Sequence, residues 1–206
     1  ACAVARGVRQ YVVLGAGLDT FAYRNPHAGM RVFEVDHPAT QAWKREHLEA
    51  AGIAIPAALT FVPVDFERQT LAGGLRQAGF DLSAAAFFSW LGVTPYLTRD
   101  ACMITLSFVA TMPAGSGVVF DFAVDPALLN AGQRQALGAL SQRVARYGEP
   151  FRLFFDPGKL QDELKGMGFR RTEFLQGKEL NARYFKDRDD GLLVRGGLGH
   201  LMGAWV

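Results

Sequence analysis

Only two cysteines occur in 206 residues, Cys2 and Cys102. A disulfide framework is therefore excluded, and two distant thiols suit a reducing cytoplasm. The four histidines, His27, His37, His47 and His200, stand at no metal-like spacing, so no metal is expected. No uncharged apolar run reaches the ~18 residues of a membrane span, and no signal peptide is visible. Long basic runs are missing too, and a net charge of +2 gives no reason to expect nucleic acid. Repeats, low-complexity tracts, a serine nucleophile elbow and paired catalytic acids are all lacking.

Half of the residues are hydrophobic and a fifth are charged, as in an ordinary globular protein. The length suggests one domain, 1–206. Chains of this size bury about 70% of their unfolded surface, enough for a core without disulfides. The sequence opens at Ala1, without Met, inside what reads as a helix end. Further residues are expected upstream. The oligomeric state is not legible.

Strand and helix signals alternate, which predicts an α/β fold with a doubly wound, mostly parallel sheet. Strands are expected at 10–14, 31–35, 60–64, 85–90, 117–122, 169–175 and 200–206. Helices are expected near Phe21, from Pro38 to about Ala51, at 71–78, 100–112, 132–147 and 157–167. A polar loop, Gln176 to Arg195, separates the last two strands without a helix. The final strand should therefore run antiparallel beside the sixth, giving seven strands. The glycine-rich stretch 191–199 precedes no helix and reads as a turn rather than a phosphate cradle.

The richest segment is QYVVLGAGLDTFAYR, Gln10 to Arg24, followed by VFEVDHP, Val32 to Pro38. It reads as strand, glycine turn, helix start, and a second strand ending in an acid. The turn Gly15-Ala16-Gly17 lets a ligand approach the backbone. A dinucleotide fingerprint needs a third glycine, where this chain has Thr20 preceded by Asp19. A carboxylate at Asp19 repels a pyrophosphate and welcomes an ammonium group. The turn thus suits a nucleoside with a cationic tail better than NAD or ATP. Asp36 lies about twenty positions after Gly15, the distance at which an acid meets ribose hydroxyls. Glu34 alternates with Asp36 and is the other candidate; Asp36 is favoured because it ends the apolar run. As plain helix caps, Asp19 and Asp36 would need no ligand.

Two further segments point at the same cleft. Asp65 and Phe66 end the third strand as VPVDF, placed to accept from an adenine amino group and to pack on its ring. The segment FFSWLGVTPYLTRDA, Phe87 to Ala101, brings Trp90 to the cleft as a wall, or leaves it as core. Tyr96 can point a hydroxyl at an acceptor, and Arg24 reads as solvated.

Together GAGLDT, the following EVD, the VPVDF acid and the SWLGVTPYLT block resemble the leucine carboxyl methyltransferase-like family, which includes polyketide O-methyltransferases. The likeness is ordered from about Val8 to Arg99 and weaker beyond. It implies a class I, Rossmann-like fold and S-adenosyl-L-methionine as cofactor. It also implies that the Gly15 turn contacts the methionine part, Asp36 the ribose, and Asp65 and Phe66 the adenine. Two departures stand out. Leu91 takes the place of a glutamate usual in the family. The family's N-terminal helical segment, with an arginine for the cofactor's carboxylate, is expected upstream of Ala1.

Methyl transfer from a sulfonium needs alignment above all, and alignment can supply roughly 7–11 kcal/mol. A carboxylate acceptor, on a small molecule or a peptide end, needs no base. A hydroxyl acceptor does, and His37 or Tyr96 are the candidates. The absence of a base motif favours a carboxylate or an acidic phenol. The rivals are a nicotinamide-dependent reductase on the same fold, and a methyltransferase-like scaffold whose cleft has decayed at Leu91.

Overall fold

β-branched runs alternating with capped helical stretches build an eight-stranded sheet. The structure, a computed structural model, describes residues 2–206. Helix α1 (Cys2–Ala5) leads to β1 (Gln10–Leu14), a 3₁₀ turn (Phe21–Arg24), β2 (Arg31–Asp36), α2 (Pro38–Ala50) and β3 (Leu59–Pro63). Then come α3 (Leu71–Gln77), β4 (Ala86–Trp90), α4 (Arg99–Ala110), β5 (Gly117–Val124) and α5 (Ala131–Ala145). The chain closes with β6 (Phe154–Phe155), α6 (Pro157–Met167), β7 (Arg171–Leu175), α7 (Gly177–Leu180) and β8 (Gly199–Trp205).

The strand order is β3-β2-β1-β4-β5-β8-β7, with β6 beside the end of β5. Strands β1 to β5 pair in parallel, whereas β8 runs antiparallel to both β5 and β7. The order reverses between β1 and β4. In such sheets ligands bind beyond the carboxyl ends of the strands at that reversal.

Local chemistry explains the helix starts. Thr98 accepts from the Ala101 N–H at the head of α4. Asn130 and Gln133 form a reciprocal capping box on α5. Asp156 accepts from Gly158 and Lys159 at the head of α6, which stops at Gly168 in the left-handed region.

The last strand runs antiparallel beside the strand at 171–175, as expected, and inserts between β5 and β7. Two features differ from the sequence reading. The two-residue β6 is an extra strand, too short to leave a periodic signal. And the polar stretch between β7 and β8 is not helix-free, since it holds α7 and a π-helical turn, Asn181–Phe185. Asn181 then ties this turn to the glycine-rich loop, donating to the Val194 carbonyl and accepting its N–H at 2.9 and 2.7 Å. That loop has no regular structure before Gly199.

One face of the sheet packs Val12, Leu14, Phe33, Phe88, Trp90, Phe120 and Phe122 under α3, α4 and α6. The other face packs Val13 and Val32 beneath α2 and the 3₁₀ turn. Further along that second face, over β4, β5 and β8, lies a cavity of about 580 Å³ lined by Tyr11, Phe87, Val119, Leu201, Gly203 and Trp205.

A buried ion pair fastens α2 to β2. Lys44 Nζ donates to Glu34 Oε2 at 2.6 Å, and both side chains are almost fully buried. Lys44 also donates to the Asp19 carbonyl at 2.8 Å and sits 5.6 Å from the Tyr23 ring centre. Burial pushes the Glu34 carboxyl up, opposed by Lys44.

Removing one partner of such a pair costs about 3–5 kcal/mol, because the other charge is left buried. Lys44→Met should lose stability on that scale in urea titrations, and Glu34→Gln added to it should recover most of the loss. In the single variant the unpartnered Glu34 has a folded-state pKa well above its unfolded value. Its unfolded form then binds fewer protons, so stability falls as pH rises through and above the carboxylate range. The deficit of Lys44→Met should therefore shrink as pH is lowered.

Candidate active site

Strand register sets the site. Leu14 lies level with Val35 on one side and Trp90 on the other, and Trp90 lies level with Phe120. The next residues, Asp36, Gly15, Leu91 and Asp121, stand level in one row, at or just past the ends of β2, β1 and β4 and inside β5, which runs on to Val124. Within β2 and β5 successive residues alternate faces, so Asp36 shares the face of Glu34 and Asp121 that of Val119. At about 4.8 Å per strand, Asp36 and Asp121 stand roughly 14 Å apart along the row.

The glycine turn is closed by the protein's own acceptors. Gly15 and Ala16 N–H groups both donate to the Val35 carbonyl, at 2.8 and 3.1 Å. Gly17 N–H donates to Asp36 Oδ2 at 2.6 Å. Asp36 Oδ1 accepts from the His37 N–H at 2.7 Å. Each Asp36 oxygen keeps a second lone pair for a ligand hydroxyl. Three turn N–H groups that a pyrophosphate would require are thus occupied. Asp19 binds the Phe21 N–H through its carboxylate at 2.7 Å and stays partly exposed beside the turn.

Gly15 has a φ of +66°, and a Cβ there would lie 2.2 Å from Val93 Cγ2. The turn after β1 is therefore pressed against the turn after β4. Gly17 has a φ of +45° with open space where its Cβ would point, leaving room for a ligand.

The structure brings Gly15, Ala16, Gly17, Asp19, Asp36, His37, Asp65 and Phe66 to the ends of β1, β2 and β3. Glu34, the alternative to Asp36, is buried under α2 in the Lys44 pair. Asp65 uses Oδ1 for the Glu67 N–H and sets Oδ2 3.5 Å from Arg68 Nε and 4.0 Å from His37 Nε2. His37 is exposed and accepts from the Ala39 N–H through Nδ1, capping α2. Phe66 is partly buried, its ring centre 5.9 Å from that of Trp90.

Trp90 does not wall a ligand pocket. It is 0% exposed, on the opposite face among Phe66 and Phe120. Its indole fills the core beneath the ledge, because β4 turns its even-numbered side chains toward α3 and α4. Tyr96 sits past the end of β4, partly buried against Phe151. Burial, then Glu149 and Asp121, push its phenol up from its ordinary value, so it holds its proton at neutral pH. Arg24 is exposed and donates to Thr20.

Residues the sequence reading did not single out also shape the ledge. Glu67 accepts from both the N–H and the hydroxyl of Thr98, at 2.9 and 3.1 Å, tying the loop after β3 to the head of α4. Asp121 Oδ1 accepts from the Gly92 N–H at 2.8 Å. Thr94 donates its hydroxyl to the Asp121 carbonyl at 2.5 Å. Asp121 lies inside VVFDFAV, where a strand aspartate carries no local motif; only sheet order reveals it.

This sheet order and ledge define the class I methyltransferase fold. A structure from Thermobifida fusca YX, named only provisionally as a methyltransferase, covers 98% of this chain and 74% of its own, with a TM-score of 0.66 at 19% identity. Human N-acetylserotonin methyltransferase, solved in complex with SAM, covers 96% of this chain and 47% of its own at TM-score 0.57 and 15% identity. The leucine carboxyl methyltransferase family model matches residues 1–110, and the chain belongs to that family. A relative from Bacillus subtilis (strain 168), YktD, named provisionally as an S-adenosyl-L-methionine-dependent methyltransferase, is 38% identical over 190 residues. The match takes in 90% of this chain and 62% of that relative, so the chain spans less than two thirds of the relative's length.

Gly15→Ala combines left-handed strain with a clash and should cost about 2–4 kcal/mol. Gly17→Ala meets only the backbone penalty, about 1–2 kcal/mol. Urea unfolding of the two variants checks the order.

Proposed function

We propose that this chain, 1–206, is the single cofactor-binding domain of an S-adenosyl-L-methionine-dependent O-methyltransferase. Its acceptor is a carboxylate or hydroxyl of a small molecule or peptide end. The observation that carries the reading is the occupied turn. Its N–H groups are bound by Val35 and Asp36, and carboxylates of Asp19, Asp36 and Asp65 flank it. Such a ledge suits an uncharged nucleoside joined to a cationic tail and disfavours a diphosphate.

The geometry supports the following residue roles. Asp36 accepts the ribose hydroxyls on its free lone pairs, and His37 stands beside it at the nucleoside end. Asp65 and Phe66 face the base. The Gly15–Gly17 turn and Asp19 lie along the amino-acid tail, where Asp19 meets the ammonium. When bound, the cofactor supplies an activated methyl group on a sulfonium. The chain's own part is to fix donor and acceptor in line and keep water out, the largest lever available to such a transfer. Tyr96, protonated, donates toward the acceptor end.

No helix among the described residues is long and apolar enough to cross a membrane. We propose a reducing, cytoplasmic setting. Cys102 is buried, with its thiol pushed up to about 12 by that burial, and no disulfide joins it to Cys2.

Thermal unfolding with ligands tests the reading. S-adenosylmethionine and S-adenosylhomocysteine should each raise Tm, since a ligand at 100 times its Kd adds about 2.7 kcal/mol. NADH should leave Tm unchanged; a rise with NADH alone would establish the reductase instead. In calorimetry, Asp36→Asn should weaken S-adenosylhomocysteine binding about tenfold or more, the scale of a lost charge-assisted hydrogen bond.

A further inference from the structure

The acceptor end of the ledge carries one carboxylate without an assigned role. Asp121 sits level with Gly15, two strands away across Leu91. One of its oxygens is fixed by the Gly92 N–H. Among the described residues the other takes no hydrogen bond and is not sealed from the surface. Leu201 lies opposite it on β8, and Leu201 also lines the 580 Å³ cavity, so apolar surface borders the carboxylate.

We propose that Asp121 selects and deprotonates the methyl acceptor, and that the acceptor is therefore a hydroxyl compound carried on an apolar body rather than a carboxylate. The proposal rests on the methyltransferase reading and narrows it. A carboxylate acceptor would stand against a second carboxylate in a partly dehydrated place, where like charges repel strongly. A hydroxyl would instead donate to the free oxygen. In the transfer, the acceptor O–H bond breaks and its proton passes to Asp121. The oxygen's electron pair forms the O–CH3 bond, and the pair of the broken S–CH3 bond stays on sulfur as a neutral thioether. Burial lifts the Asp121 carboxyl above its ordinary value, against the pull of the Gly92 N–H, which makes it a better proton acceptor than an exposed aspartate.

The test uses the chain saturated with S-adenosylhomocysteine and two probes, 4-nitrophenol at a pH below its ionisation and 4-nitrobenzoate, titrated by calorimetry. The wild type should bind the phenol at least tenfold tighter than the benzoate. Asp121→Asn keeps an oxygen for the Gly92 N–H, so it should unfold at the wild-type Tm while the preference falls to near unity, mainly by a gain for benzoate. Asp121→Glu should restore the sign of the preference. A wild type that binds the benzoate as well as the phenol, or binds neither, overturns the proposal. An Asp121→Asn variant with unchanged preference also overturns it and leaves Asp121 as a pin for the Gly92 turn. Failure to bind S-adenosylhomocysteine at all would sink the methyltransferase reading instead, which keeps the two failures apart.

Discussion

The site depends on how Asp36 closes the end of β2. Its two oxygens hold the Gly17 and His37 N–H groups, one on the turn after β1 and one at the head of α2. A single carboxylate thus joins two strands and a helix at the reversal of the sheet. Hydrogen bonds from neutral donors to a charged acceptor are the stronger kind, and here they hold the turn in a shape with no free N–H row. The choice between a diphosphate and an adenosine with an amino-acid tail follows from that clasp rather than from the glycines themselves.

Beneath the clasp, Lys44 supplies what the turn cannot. The segment from Gly15 to Asp19 has no helix to pack against, since only a short 3₁₀ turn follows it. Lys44 reaches from α2 to the Asp19 carbonyl while neutralising Glu34. Isolated as an ion pair, this arrangement would contribute little or even cost stability. Its value is positional, because one ammonium fixes the backbone on which the partly exposed Asp19 carboxylate is mounted. The acid that faces outward and the acid that faces inward are therefore held by the same cation, from opposite sides.

Much of this was legible in the chain. Apolar β-branched runs marked the parallel strands, and Pro38 marked a helix start, because those signals are local. The distance from Gly15 to Asp36 was readable since a βαβ unit returns its second strand to the cleft at a set length. What escaped depends on partners distant in sequence. The assignment of Trp90 failed because period two places it level with Leu14 and Phe120 on the core face, and burial outweighed proximity to the cleft. The Lys44–Glu34 pair was hidden because a lysine in HPATQAWKREH looks like any solvated helix residue. β6 and α7 are too short to carry a period, and Asp121 acquires a neighbour at Gly92 only once β4 and β5 lie side by side.

The row Asp36, Gly15, Leu91, Asp121 also recasts the residue at position 91. A glutamate there, as the family resemblance leads one to expect, would put a carboxylate between the two ends of the ledge. On the methyltransferase reading that is where positive charge on the donor disappears as the methyl group moves. A carboxylate beside a charge that fades in the transition state stabilises the bound donor more than the transition state, and so raises affinity rather than rate. Leu91, half exposed, removes that ground-state hold. The substitution that would mark a decayed cleft is thus equally consistent with the proposed cleft, in which Asp36 is assigned to binding and Asp121 to proton removal.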